Sequence, residues 1–319
     1  MPPRPLTVLD RRSALRLIAA TPIGLSLTGA ALDMPADGLT DRLASFWPVY
    51  DSTRDNEDRP GELRAGYFLP EKKLYSGAGI TVSKLRIESW LPDFDKIADD
   101  VRRLHARFPA AWARHAAHFD KIFPDFRVSA APIYLMLSLG DFDAHLEPSK
   151  GVLPLFIGLD GIVQYHGAQA DLAVLLDHES YHLYQGQVNP ALGLKSRPPL
   201  FITLWMEGTA TWVSELLNPQ ANSLAVLLND TALAAASRDT VRRAAQLLID
   251  RIDAVNDKDE DRFFGAGYEV PEPARIGYLL GLQIARRLAP RYSPAAMARL
   301  DGPTVRRLCL EGLTAIARG

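Results

Sequence analysis

The strongest local constraint on this chain is a pair of histidines set one helical turn apart in an apolar run. Leu172-Ala173-Val174-Leu175-Leu176 leads into His178-Glu179-Ser180-Tyr181-His182, an H-E-x-x-H pattern. The run predicts a buried helix over 170–187. On such a helix His178 and His182 share one face, so both imidazoles can bind a single ion. Glu179 is rotated about 100° from His178 around the helix axis. From there it can reach a water on that ion and remove its proton. Chance explains the pattern poorly. With 7 His and 12 Glu in 319 residues, a shuffled chain yields about 0.006 such matches.

The rest of the metal set is found by elimination and by cost. The chain has one cysteine, Cys309, so neither an intramolecular disulfide nor a cysteine-based zinc site can form. Any metal must be held by His and carboxylates. A catalytic zinc takes three protein ligands and keeps a fourth position for water. Twenty-five residues after His182, Glu207 stands in the otherwise apolar helical run 203–217, where an unpaired carboxylate is costly and a metal removes the cost. Gly208 and Ala210 are small enough to let this helix pack closely on the H-E-x-x-H helix. Glu215, eight residues on and within about 80° of the same face, is the second choice of ligand or a hydrogen-bond acceptor behind the ligands. Its plainer reading is an exposed helix carboxylate.

At these residues the chain resembles the gluzincin metallopeptidases, the thermolysin-like clan. His178-Glu179-Ser180-Tyr181-His182-Leu183-Tyr184-Gln185, followed by Trp205-Met206-Glu207-Gly208-Thr209-Ala210-Thr211-Trp212, looks like bacterial zinc-dependent proteases with H-E-x-x-H-x-x-Q and a later E-G-x-A-x-aromatic segment. The resemblance is specific over 170–217 and looser at 274–288, where Gly277-Tyr278-Leu279-Leu280-Gly281 looks like a G-Y-x-x-G helix. It implies a zincin-like fold with a small β-sheet, with His178, His182 and Glu207 as Zn2+ ligands and Glu179 as general base. Many gluzincins use a Tyr or His to donate a hydrogen bond to the oxyanion, which makes Tyr278 a candidate donor here, with a plain core tyrosine as its equal alternative and Tyr184, His166 and Tyr268 as further donors. The chain departs from the thermolysin-like pattern at Thr211, which stands where those enzymes place an Asp that orients a ligand histidine. The implied activity is peptide or protein hydrolysis. The alternatives are a non-catalytic binding or scaffold protein on the same fold, and a zinc amidase acting on another amide or a cell-wall peptide.

The N-terminus reads as an address rather than as part of the fold. Arg11-Arg12 precedes a mildly apolar stretch, Leu17 to Leu32, and then small residues that suit cleavage near 30–36. This resembles a bacterial twin-arginine export signal over 1–30, which implies a periplasmic or secreted protein. No apolar run reaches the ~20 residues a spanning helix needs. With 36 basic and 38 acidic residues, the net charge of −2 argues against a nucleic-acid backbone as partner.

Periodicity predicts one α+β domain over 33–319, mostly helical. Helices are expected at 41–50, at 94–119 with a break at Pro109, at 170–187, 203–217 and 222–256, and at 274–290 and 294–318. Residues 51–62 and 256–273 read as loops. Strands are expected at 132–139 and 152–163, with a turn at Asp160-Gly161. Residues 152–159 could be an edge strand for an extended substrate or a plain interior strand. His105, His115 and His118 are expected on a solvated, arginine-rich face.

Overall fold

The computed structural model describes residues 38–128, 131–147, 153–193, 197–265 and 272–319. The twin-arginine segment and Tyr268 lie outside them. The described chain is α-rich with one small mixed sheet, and it groups into two compact units that meet in sequence between Ala170 and Asp171. The sequence offers no linker at that point.

The first unit opens with strand β1 (Leu39–Asp41) and helices α1 (Phe46–Ser52), α2 (Arg59–Leu63) and α3 (Lys72–Gly77), with one π-helical stretch at Arg64–Phe68. Part of the expected 51–62 loop is therefore helical. Asp58 caps α2 by accepting from the Gly61 amide at 3.2 Å, and Pro60 suits the first turn. Helix α4 (Lys84–Ile122) then runs for 39 residues, capped by Ser83. Pro109 does not interrupt it, and Pro92 is also inside. The ~3 kcal/mol a helical proline can cost is offset by a continuous buried stripe. That stripe includes Trp90, Phe94, Val101, Phe108, Trp112 and Phe119. His115 belongs to it, buried with ring centres 5.3 Å from Trp112 and 5.4 Å from Phe119, which corrects its solvated reading. His105 is half-buried between the Trp47 indole N–H (2.9 Å) and Asp41 (2.8 Å), while His118 is exposed as expected. Phe46 anchors the core here, with Trp47, Tyr50, Tyr67 and Phe94 around it at ring separations of 5.1–5.6 Å.

Strands β2 (Ile133–Met136), β3 (Ala144–Leu146) and β4 (Leu155–Gly158) complete a sheet in the order β1-β2-β4-β3. β1 and β4 both run parallel to β2, and β3 runs antiparallel to β4. β4 is thus interior, so the edge-strand reading of 152–159 fails. The expected turn at Asp160-Gly161 is also corrected: these residues form the first turn of helix α5 (Leu159–His166). Asp160 is buried and accepts from the backbone amides of Ser138 (2.6 Å) and Gly140 (3.0 Å) and from the Trp90 indole (3.1 Å). Gly161 serves close approach, because a Cβ there would lie 1.9 Å from the Phe142 carbonyl oxygen.

The second unit is helical. Its elements are α6 (Leu172–Val188), α7 (Pro190–Gly193), α8 (Leu200–Leu217), α9 (Ser223–Val226), α10 (Thr231–Ala234), α11 (Arg238–Ile249), α12 (Asp257–Phe264), α13 (Ile276–Leu288), α14 (Pro294–Met297) and α15 (Gly302–Arg318). The expected 222–256 helix is three pieces because Asn222, Asp230 and Ser237 each turn a side chain onto a backbone N–H and start a new helix. Asn256 does the same for α12, inside what reads as a loop. Asp301 starts α15 and divides the expected 294–318 helix. α8 is buried from Leu200 to Ser214 and packs against α6, α13 and α15. Among the described residues no helix is long and apolar enough to cross a membrane.

Candidate metal centre

Two helices supply three donors to one point. Asp171 caps α6, accepting from the amides of Ala173 (3.1 Å) and Val174 (3.4 Å), and the helix then carries His178 and His182 on one face. α8 contributes Glu207 from the packed neighbour. Nε2 of His178 lies 3.1 Å from Nε2 of His182 and 3.2 Å from Oε2 of Glu207, and the third pair, His182 to Glu207, is 3.4 Å apart. All three side chains are buried.

These distances fit a shared ion. Tetrahedral bonds of ~2.0–2.1 Å place neighbouring donor atoms about 3.3 Å apart. Two imidazole nitrogens facing each other at 3.1 Å, in a buried site, also need a cation or a proton between them. Without a metal that role falls to a proton. Burial works against a charged His182, but the Glu207 carboxylate overrides it and lifts the imidazolium to about 9. Burial alone would raise Glu207, yet the two histidines hold it well below the usual carboxylate range. Burial keeps His178 on the neutral side. The group His178, His182 and Glu207 can hold a metal ion.

The surroundings of the ligands differ from the expected pattern. Thr211 orients no histidine; its hydroxyl donates to the Glu207 carbonyl one turn back at 2.7 Å. Gln185 takes that place. Its Oε1 lies 3.3 Å from His182 Nδ1, its amide donates to Thr209 Oγ1 at 2.9 Å, and Thr209 donates in turn to the Trp205 carbonyl at 2.7 Å. The signal for this role is the spacing of Gln185, three residues after His182 on the same helix. His178 Nδ1 is buried with no hydrogen-bond partner among the described residues.

Glu179 is half-buried on α6 and stands outside the three-donor cluster. Among the oxyanion candidates, the structure brings Tyr278 to the ligands. Its ring stacks on His178 with centres 6.2 Å apart and planes 17° from parallel. Burial, and then the negative charge of Glu207, push its phenol well above the ordinary tyrosine value, so the hydroxyl keeps its proton. Arg275 also lies over the ring, its guanidinium carbon 4.2 Å from the ring centre. It is buried and holds a left-handed backbone (φ 60°) at the start of α13, an arrangement no spacing in the sequence signals. Tyr184 is turned to Arg299, which donates to its hydroxyl at 2.6 Å. His166 belongs to the first unit and pairs with Asp143 at 2.5 Å.

Glu215, the second choice of ligand, is not grouped with the histidines: it is half-buried, and Arg286 Nε donates to its Oε2 at 2.8 Å. Gly208 also acts differently from expectation. Gly208 meets α13 rather than α6, and a Cβ on it would lie 2.3 Å from the Gly281 Cα. No family model, no curated protein and no solved structure matches this chain.

Proposed function

We propose that this chain is an exported zinc-dependent hydrolase of gluzincin type that cleaves peptide bonds, with His178, His182 and Glu207 as metal ligands. The observation that carries the proposal is the convergence of these three donors from two helices, with Glu179 one residue along from the first ligand. Two imidazoles and one carboxylate suit a borderline-soft ion that prefers four ligands. When bound there, zinc supplies a Lewis acid that polarises a carbonyl and makes a water easier to deprotonate.

The chain's own residues do the rest. Glu179, kept out of the ligand set by its rotation on the helix, takes the proton of the attacking water and delivers it to the leaving amine. Tyr278 keeps its hydroxyl proton and donates to the carbonyl oxygen as negative charge builds on it. Arg275 holds the Tyr278 ring through its guanidinium. Gln185 fixes the ring orientation of His182.

Glu179→Gln tests the assignment, because it keeps the shape and a polar group but cannot accept the proton. The variant should retain close to one zinc per chain and lose ~10²–10⁴-fold in rate on a substrate found by peptide-library screening. Wild-type rate in the variant would remove Glu179 from the mechanism. Absence of any metal-dependent cleavage by the parent protein would favour the scaffold reading.

A further inference from the structure

On another part of the second unit, α9, α10, α11, α13 and α15 enclose a half-open cavity of about 760 Å³. That lies within the size range of small-molecule sites. Its wall is cationic: Arg238 and Arg242 of α11, Arg286 and Arg287 of α13 and Arg318 of α15 line it, against one acidic side chain, Asp239. The aliphatic side chains among them, such as Val226, Leu282 and Ile316, are buried and offer little surface to a ligand. Arg238 and Arg242 stand one turn apart, a spacing at which like charges destabilise a helix. Several other arginines of this unit face carboxylates: Arg251 meets Asp259 at 3.3 Å, Arg306 Nε donates to Asp253 at 2.7 Å and Arg307 donates to Glu311 at 2.8 Å. In the cavity, Arg286 is committed to Glu215, and Arg242 donates to the Ala317 carbonyl at 3.3 Å. Arg238, Arg287 and Arg318 are exposed, and none of them makes an ion pair among the described residues.

Unpaired guanidinium groups from three helices thus concentrate positive charge around one cavity, on a chain whose net charge is −2. We infer that this cavity binds one small, non-aromatic polyanion carrying several phosphoryl groups, held by Arg238, Arg287 and Arg318. A monoanion would engage one of these arginines and leave the others unpaired. Phosphoryl oxygens accept the guanidinium fork two at a time, and each phosphoryl group carries more charge than a carboxylate. A nucleotide fits poorly, because no aromatic ring lines the cavity to stack a base. A bilayer surface would need large exposed apolar side chains, and none of Leu69, Leu85, Ile122, Leu216 and Val255 lines this cavity. The inference is independent of the metal reading, since His178, His182 and Glu207 are not among the lining residues.

The test is calorimetric titration of the full-length protein with tripolyphosphate, citrate and inorganic phosphate. Tripolyphosphate should bind saturably, one per chain, and at least about tenfold more tightly than either comparison anion. The double variant Arg238→Gln with Arg287→Gln should weaken it by about tenfold or more at an unchanged melting temperature, and Asp239→Asn should tighten it. Neither change touches the metal ligands, so chelation at the metal centre would survive the double variant. Tripolyphosphate affinity that is the same in parent and double variant therefore overturns the proposal. Equal affinity for tripolyphosphate and either comparison anion overturns it on the parent protein alone, whatever the variants do. So does association with phosphatidylglycerol vesicles that tripolyphosphate does not displace.

Discussion

At the level of single residues, the chemistry of the centre turns on where one proton sits. In the metal-free protein, His182 is charged up to about pH 9 because Glu207 faces it in a buried site. A metal needs the lone pair that this proton occupies, so binding near pH 7 should expel close to one proton. Affinity should then rise about tenfold per pH unit towards pH 9 and level off above it. Calorimetric titration with zinc in two buffers of different ionisation enthalpy measures the proton directly; zero release would show that His182 is neutral in the free site. The sign for stability runs the same way. A histidine raised above its usual value stabilises the metal-free fold fully below about pH 6.5 and loses that contribution as pH climbs through about 9. Gln185 matters here too, since it meets Nδ1 of His182 and leaves Nε2 to face His178 and Glu207.

At the level of elements, α8 is the piece on which the centre depends. It is apolar around almost its whole circumference, and it places Glu207 against α6 while its glycine face closes on α13, the helix that carries Tyr278. The contact is backbone against backbone: Gly208 and Gly281 each leave no room for a Cβ, at 2.3 Å and 2.5 Å from the other's Cα. Gly208→Ala should therefore push α8 and α13 apart. The expected cost is about 1–3 kcal/mol of stability, read by denaturant unfolding, together with weaker zinc binding. A variant as stable as the parent would mean the two helices can separate freely. In the first unit, the same reasoning explains Asp160. Its carboxylate closes the amides of Ser138 and Gly140 and the Trp90 indole, which a turn residue facing water could not do.

For the molecule as a whole, metal and location are linked questions. If the centre is filled in the native protein, chelation should lower the melting temperature. At free zinc a thousandfold above Kd the loss is about 4 kcal/mol, or roughly 10 °C for a unit of this size. Unchanged melting after complete removal of zinc would leave the ligand set without a stabilising role. Twin-arginine export carries folded, often cofactor-loaded proteins, so Arg11→Lys with Arg12→Lys should leave precursor in the cytoplasm. Continued export of that variant, measured by cell fractionation, would rule out this route.

The sequence by itself determined what short-range physics controls. Two histidines four apart in an apolar run can only share a helix face, and α6 and α8 fall close to the expected bounds because their hydrogen bonds and apolar stripes are local. That Glu207 would need partners was also legible, since a carboxylate among Trp, Met and Leu is costly alone, and the structure sets it against the two histidines. Tertiary structure decided which neighbour each side chain meets. Thr211 has the right distance along the helix to support a histidine, but its hydroxyl is satisfied one turn back, and Gln185 does the work instead. Asp160-Gly161 has turn composition, yet burial against Phe142 and Trp90 makes it the start of a helix. The long run 222–256 is continuous by periodicity and broken by Asn222, Asp230 and Ser237, whose caps win locally over helix propensity. Local spacing thus specifies faces and ends of helices, while the partner across each face is a long-range packing choice that no window of sequence contains.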